Sequence, residues 1–355
     1  MSIIDKYIIK KFLVTFFFIM LIIMMLAVIF DISERLSEFL EKGASVYDII
    51  FGYYVNFILF YGNMFSALII FISVIWFTGK MAQNTEIIPI LNSGRGFVRF
   101  MRPYFLAATV LTVLSLLLNN FILPDANRRR LAFEEQFYRV HLVNNDYHAE
   151  ISDNELLFFD HFNSDEKKVR NFMFENWDGY KLKSVLKAGI AYSDSSHNWT
   201  MSNVDIRYIG EESDSLVHFN EIDTVFNFSM WDFAKRSNVI EAMDFQELNE
   251  YIETERRRGS KYIAAYEVHK YQRFSYPFAT YVLVLIGVAV SSRKTRGGIG
   301  VQIAIGLVVV LAYILSMKFF TVAAENVGMP PALAVWSSNI LFGIVAIILI
   351  IRAPK

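Results

Sequence analysis

Glu86 heads a short segment in which Ile87, Ile90 and Leu91 follow the i, i+3, i+4 spacing of a helix with one apolar side. A carboxylate at a helix N-terminus is favoured by the backbone dipole and can pair with a basic group on another molecule. Pro89 suits such a helix only in its first turn, where no amide donor is needed, so the helix is expected to start near Ile88. Arg95, Arg99 and Arg102 follow, as cations placed to bind a partner or anionic lipid. A second set of charges, Arg35, Lys270, Arg273 and Lys318, stands at the ends of long apolar runs. A cation there keeps its stem among apolar neighbours and its head in water, so it serves either as an anionic head-group contact or as an interface anchor. Lys318 leads this set because it interrupts the otherwise uncharged stretch 297–324. Gly300, Ala304 and Gly306 are small enough to let helices approach closely.

Nothing in the chain spells out catalysis. It has no G-x-x-x-x-G-K-[ST] and no H-E-x-x-H, and its six histidines are scattered. With no cysteine there is no thiolate nucleophile, cysteine-ligated zinc, iron–sulfur cluster or disulfide. No catalytic residue, metal site or cofactor is therefore expected on this chain. A net charge of −1 argues against a nucleic-acid partner.

The elements that must position these residues are membrane spans. Hydrophobic residues make up 54% of the chain and charged ones only 19%, and the charge is segregated. Residues 125–273 carry 27 acidic and 19 basic side chains, which leaves 8 and 15 for everything else. Six uncharged runs, Phe12–Phe30, Ile49–Gly79, Pro103–Pro124, Phe274–Ser292, Gly297–Met317 and Asn326–Ile351, each meet the roughly 20 residues a helix needs to cross a bilayer. Spans are expected at about 12–30, 57–77 and 103–123 in the segment 1–124, and at about 274–292, 297–318 and 332–351 in the segment 274–355. The first reads as a retained anchor, since no small-x-small site ends it. Lys6, Lys10, Lys11, Lys80, Arg95, Arg99, Arg102, Arg293, Lys294, Arg296, Arg352 and Lys355 fall on one side. The positive-inside rule makes that side cytoplasmic, with both termini, and puts 125–273 outside.

Within 125–240, short alternating segments between polar turns predict β-structure of the sandwich or jelly-roll kind. The clearest is Tyr180–Tyr192, with Tyr180, Leu182, Leu186, Ala188, Ile190 and Tyr192 expected on one face and Lys181, Lys183 and Lys187 on the other. Asn144-Asn145-Asp146, Asp178-Gly179 and 193–196 read as turns. Residues 244–258 read as a helix, with Asp244 and Glu247 spaced as a capping box and Gly259 at its end.

Several stretches resemble the LptF/LptG family of lipopolysaccharide-export permeases. They are Ile4-Asp5-Lys6-Tyr7-Ile8, Thr85–Gly94 with Arg99 and Pro103, Ala188, Trp199, Glu247-Leu248 with Tyr251-Ile252 and Gly259, Glu267–Pro277, Arg293 with Arg296-Gly297-Gly298, and Pro330-Pro331 with Trp336 and Asn339. The segment departs from the family pattern where Ile88-Pro89-Ile90-Leu91 intervenes, and Arg273 stands in a shifted place. The resemblance runs over essentially the whole chain and implies an α-helical membrane protein with six spans and an all-β, jelly-roll-like periplasmic domain between the third and fourth. It implies a permease subunit of an ABC transporter in the Gram-negative inner membrane, with ATP and Mg on a cytoplasmic ATPase dimer. The other implied partners are a second permease of the same or a paralogous kind, periplasmic LptC/LptA-like jelly-roll proteins, and lipopolysaccharide. On that footing the loop 80–102, with Glu86, Ile87, Ile90, Leu91 and Arg95, is the ATPase-coupling segment. Lys318, Arg35, Lys270 and Arg273 are candidate head-group contacts, and Gly300, Ala304 and Gly306 belong to packing at a lateral gate. A permease for another lipid or lipoprotein, or a non-transporting scaffold, would share much of this pattern.

Overall fold

The computed structural model describes residues 2–94, 96–137, 143–152, 154–163, 166–193, 197–228, 237–257, 259–260, 262–293 and 298–352. The chain divides into two compact units, Met1–Phe137 with Glu241–Phe245 and Ala264–Lys355, and Tyr138–Ile240 with Gln246–Ile263.

The first unit is helical. Its elements are α1 (Ile3–Glu41), α2 (Val55–Met64), α3 (Ser66–Gln83), α4 (Ile87–Asn92), α5 (Phe97–Leu117) and α6 (Leu123–Phe137), then α8 (Ile263–Ser291), α9 (Gly298–Val327) and α10 (Pro331–Ile351). Between α6 and α8 comes α7 (Phe245–Arg257), which belongs largely to the second unit. Six helices are long and apolar enough to cross a membrane: α1, α3, the continuous rod Phe97–Phe137 made of α5 and α6, α8, α9 and α10. A capping box starts α1, in which Ser2 accepts from the Asp5 amide and Asp5 accepts from the Ser2 amide.

Helix α1 runs past its apolar stretch to Glu41. There Phe39 packs edge-on against Tyr53 and Phe133, so aromatic contacts carry it where hydrocarbon ends. The third span likewise continues through the polar residues of α6, where Arg130 and Glu134 pair at i, i+4. Wide π turns occur at Asp48–Tyr54 and Leu118–Ile122. The asparagine amides of Asn56, Asn119 and Asn120 bond to carbonyls in or beside them. Two apolar clusters hold the bundle together. One joins α1, α3, α4, α5 and α8, and the other joins α3, α8, α9 and α10.

The second unit is built on one antiparallel sheet of six strands in consecutive order: β1 (Val143–Ser152), β2 (Glu155–Asn163), β3 (Lys168–Asp178), β4 (Lys181–Ser193), β5 (Asn198–Tyr208) and β6 (Ser215–Val225). The β class agrees with expectation; among the described residues the sheet is an open meander, not a closed jelly roll. Asp178-Gly179 does turn the chain, with Gly179 at φ +60°. Asn144-Asn145-Asp146 does not. These residues lie inside β1, where Asn144 and Asn145 stand opposite Phe162 and His161.

The expected face of β4 is also corrected. Leu186 and Ala188 point inward, but Tyr192 is exposed and Ala191 takes the buried place; Tyr180 lies fully exposed in the turn. The cause spans the sheet. Buried residues are three apart at one level of each of four strands: Phe159 and Phe162, Val169 and Phe172, Ala188 and Ala191, Met201 and Val204. His161, Arg170, Ile190 and Ser202 form one cross-strand row there. Beside them sit Asp160, Asn171, Gly189 and Asn203, with Asn171 at φ +52° and Asn203 at φ +56°. A left-handed residue turns two successive side chains to the same side on β3 and β5, and β2 and β4 beside them change their inward parity at the same level while the register holds. Asn171 donates to Asp160 at 2.5 Å across the bend. Beyond β6, Phe226 and Phe228 fold back against Phe174 and Trp199 to cover the inward face.

Candidate functional site: the loop after the second span

Helix α3 ends in a Schellman arrangement. Glu86 N–H donates to the Met81 carbonyl at 2.9 Å and Thr85 N–H to the Ala82 carbonyl at 3.2 Å. Thr85 occupies the left-handed position at φ +61°, which a β-branched residue adopts only at a cost. Thr85→Gly should therefore raise the protein's stability by about 1 kcal/mol, read as a higher melting temperature in detergent; an unchanged or lower value would refute the strain.

The turn delivers Glu86 to the start of α4. Helix α4 begins at Ile87, so Pro89 is the third residue of the first turn and deprives no carbonyl within the helix of a donor. Ile87 is buried, and Ile90 and Leu91 pack against the same cluster as Ile8, Phe12 and Phe16 of α1 and Phe97, Phe100 and Met101 of α5. The three apolar residues do share one side, and it faces the protein's own body. The outward side is Ile88, which is 54% exposed, with Pro89, Asn92 and Ser93. Sequence spacing alone could not tell which side would be turned out. Both oxygens of the Glu86 carboxylate are held: Oε2 accepts from the Tyr7 hydroxyl at 3.3 Å and Oε1 from Asn84 Nδ2 at 3.1 Å. Arg95 lies outside the described residues.

Neighbouring contacts gather other termini at this end of the bundle. Gln302 Nε2 donates to the carbonyls of Ser291 at 3.2 Å and Arg293 at 2.6 Å, closing the end of α8, while its Oε1 lies against Gly79 of α3. Arg293 donates to the Arg352 carbonyl at the end of α10.

The four outlying cations occupy different settings. Arg35 is paired with Asp31 at 3.0 Å, and Asp31 also accepts from Tyr53 at 3.3 Å and Tyr54 at 3.1 Å. Burial and the Asp31 carboxylate push the Tyr54 hydroxyl up from its ordinary value, so it stays a donor. Lys270 lies 5.7 Å above the Phe245 ring and 5.6 Å from the Tyr271 ring. Arg273 is buried. Lys318 is exposed and makes no hydrogen bond or ion pair among the described residues. Gly306 packs on α3 against Ile75 and Phe71, whereas Gly300 and Ala304 face outward.

A profile for the lipopolysaccharide export system permease LptF/LptG matches residues 6–352. The chain belongs to that family. It is a membrane permease of lipopolysaccharide export, a transport subunit of an ABC transporter. No curated protein sequence matches the chain significantly. In this LptF/LptG-family permease the sequence reading missed Tyr7 and Asn84 as holders of Glu86, and the buried pair Arg130–Glu134. For the pair the signal was present, as opposite charges four residues apart; for Tyr7 it was only the match to the family's N-terminal motif.

Proposed function

We propose that this permease extracts lipopolysaccharide from the outer leaflet of the inner membrane and passes it to a periplasmic bridge, driven by a cytoplasmic ATPase dimer that grips the loop 80–102. The observation that carries this reading is the mounting of α4. Its apolar side is seated in the core shared by α1 and α5, while Glu86, Ile88 and Pro89 remain accessible to a second protein. A push on α4 is thus delivered to membrane helices and is not absorbed by a loose loop. The twelve basic residues on this side support its facing the cytoplasm, with both termini. ATP and Mg are bound by the ATPase and not by this chain.

A second permease, identical or paralogous, completes the cavity. Helices α1 and α9 are the least buried of the six spans, which supports their lying at its lateral gates, with Gly300 and Ala304 on the outward side of α9. Lys318 is the foremost candidate for a phosphate of the head group, ahead of Lys270, Arg273 and the already paired Arg35. The open outer sheet is extended by edge pairing with an LptC/LptA-like jelly-roll partner. Strand β6 has one hydrogen-bonded neighbour among the described strands and leaves Leu216 and Val225 exposed, which supports that pairing.

Glu86→Lys tests the reading. It is expected to abolish co-purification of the ATPase and lipid-stimulated ATP hydrolysis in vesicles; retention of both would overturn the coupling role. Mass spectrometry of lipid retained by the purified complex separates lipopolysaccharide from another lipid cargo.

A further inference from the structure

We infer that Tyr7 is a positioning residue that ties the carboxylate of Glu86 to the first span, so that α4 and the inner end of α1 move together; this rests on the ATPase contact proposed above. Two donors from two different elements hold the two oxygens of one accessible carboxylate. Asn84 is local to the turn, but Tyr7 lies 79 positions upstream on another helix. The tyrosine is itself aimed. The capping box at Ser2 and Asp5 fixes the start of α1, and the ring meets Phe77 of α3 edge-on at 6.3 Å. A carboxylate offers about four acceptor positions, so these two bonds leave room for a cationic group of a partner.

Behind the hydrogen bond, Ile87, Ile90 and Leu91 share a core with Ile8, Phe12 and Phe16. Further along, α1 is the least buried of the spans. A helix gripped at its inner end and lightly packed beyond it can be shifted by that grip. An aromatic residue serving merely as an interface anchor would have no need of the Glu86 carboxylate.

The test uses the full permease pair with its ATPase in vesicles containing lipopolysaccharide. Tyr7→Phe keeps the ring and its contact with Phe77 and removes only the hydroxyl. The ATPase should still co-purify and the melting temperature in detergent should hold, while lipid-stimulated ATP hydrolysis falls about three- to tenfold, the worth of one hydrogen bond. The natural chain has no cysteine, so spin labels can be placed at the exposed Lys10 of α1 and at Ser93, the residue that follows α4, alone. Their separation should stay constant on nucleotide addition in the parent and change in Tyr7→Phe. Parental turnover, a label separation that behaves as in the parent, or a loss explained by unfolding would each overturn the inference. If Glu86→Lys leaves the ATPase bound and active, the coupling reading itself fails. If Glu86→Lys uncouples while Tyr7→Phe does not, only the role of Tyr7 falls.

Discussion

Arg130→Ala should cost about 3–5 kcal/mol of stability, seen as a large drop in melting temperature in detergent micelles. The guanidinium is 3% exposed, donates to Glu134 at 2.8 Å and Glu241 at 3.2 Å, and lies 4.4 Å above the Phe60 ring. Glu134 is as deeply buried, so removing the arginine strands a carboxylate in a medium that cannot solvate it. Glu241 is partly exposed and can turn to water. The double change Arg130→Met with Glu134→Leu removes both buried charges and should recover most of the loss, because a well-packed apolar pair often matches a buried ion pair. Arg129→Ala, which breaks an exposed pair with Asp125, should cost well under 1 kcal/mol. Equal effects of Arg130→Ala and Arg129→Ala would refute the argument.

Gly306→Ala is the second large effect. A Cβ at Gly306 would run into Cδ1 of Ile75 and come within 3.1 Å of Phe71 Cε1, both on α3 and both fully buried. Overpacking of this kind costs about 1–3 kcal/mol. Ile75→Val deletes the offending methyl group and should restore most of the stability in the double variant, although alone it leaves a small cavity. Gly343→Ala, with nothing within 4 Å of its new methyl group, should be neutral or slightly stabilising by the same unfolding measurement. If Gly306→Ala behaves like Gly343→Ala, the close approach of α3 and α9 does not constrain that position.

The spans were legible because a bilayer imposes one-dimensional rules: an uncharged run of sufficient length is visible without knowing what it touches. The clustering of Ile87, Ile90 and Leu91 was legible for the same reason, since helical period is local. That this side seats on α1 and α5 was not, because it depends on which helices come together. Glu86 could be singled out by its charge and place, but its two holders lie in a turn and on another helix. Arg130 sits in a run of three arginines, and only the fold decides that it is the one taken inside while Arg129 stays in water. In the sheet, alternation predicted the inward side correctly from Leu182 to Ala188 and failed at Tyr180, in the turn, and at Tyr192. Asn171 and Asn203 adopt the left-handed conformation on the strands flanking Gly189, and period two carries no trace of a change made jointly by neighbours.

That joint change restricts how the outer sheet can vary in length. Deleting one residue from β3 ahead of Asn171 would slide the crease off its counterpart at Gly189, exchange inside for outside over part of the strand, and leave the adjoining strands creased alone. Insertions and deletions in these four strands are therefore tolerable only as matched sets or in the hairpin tips.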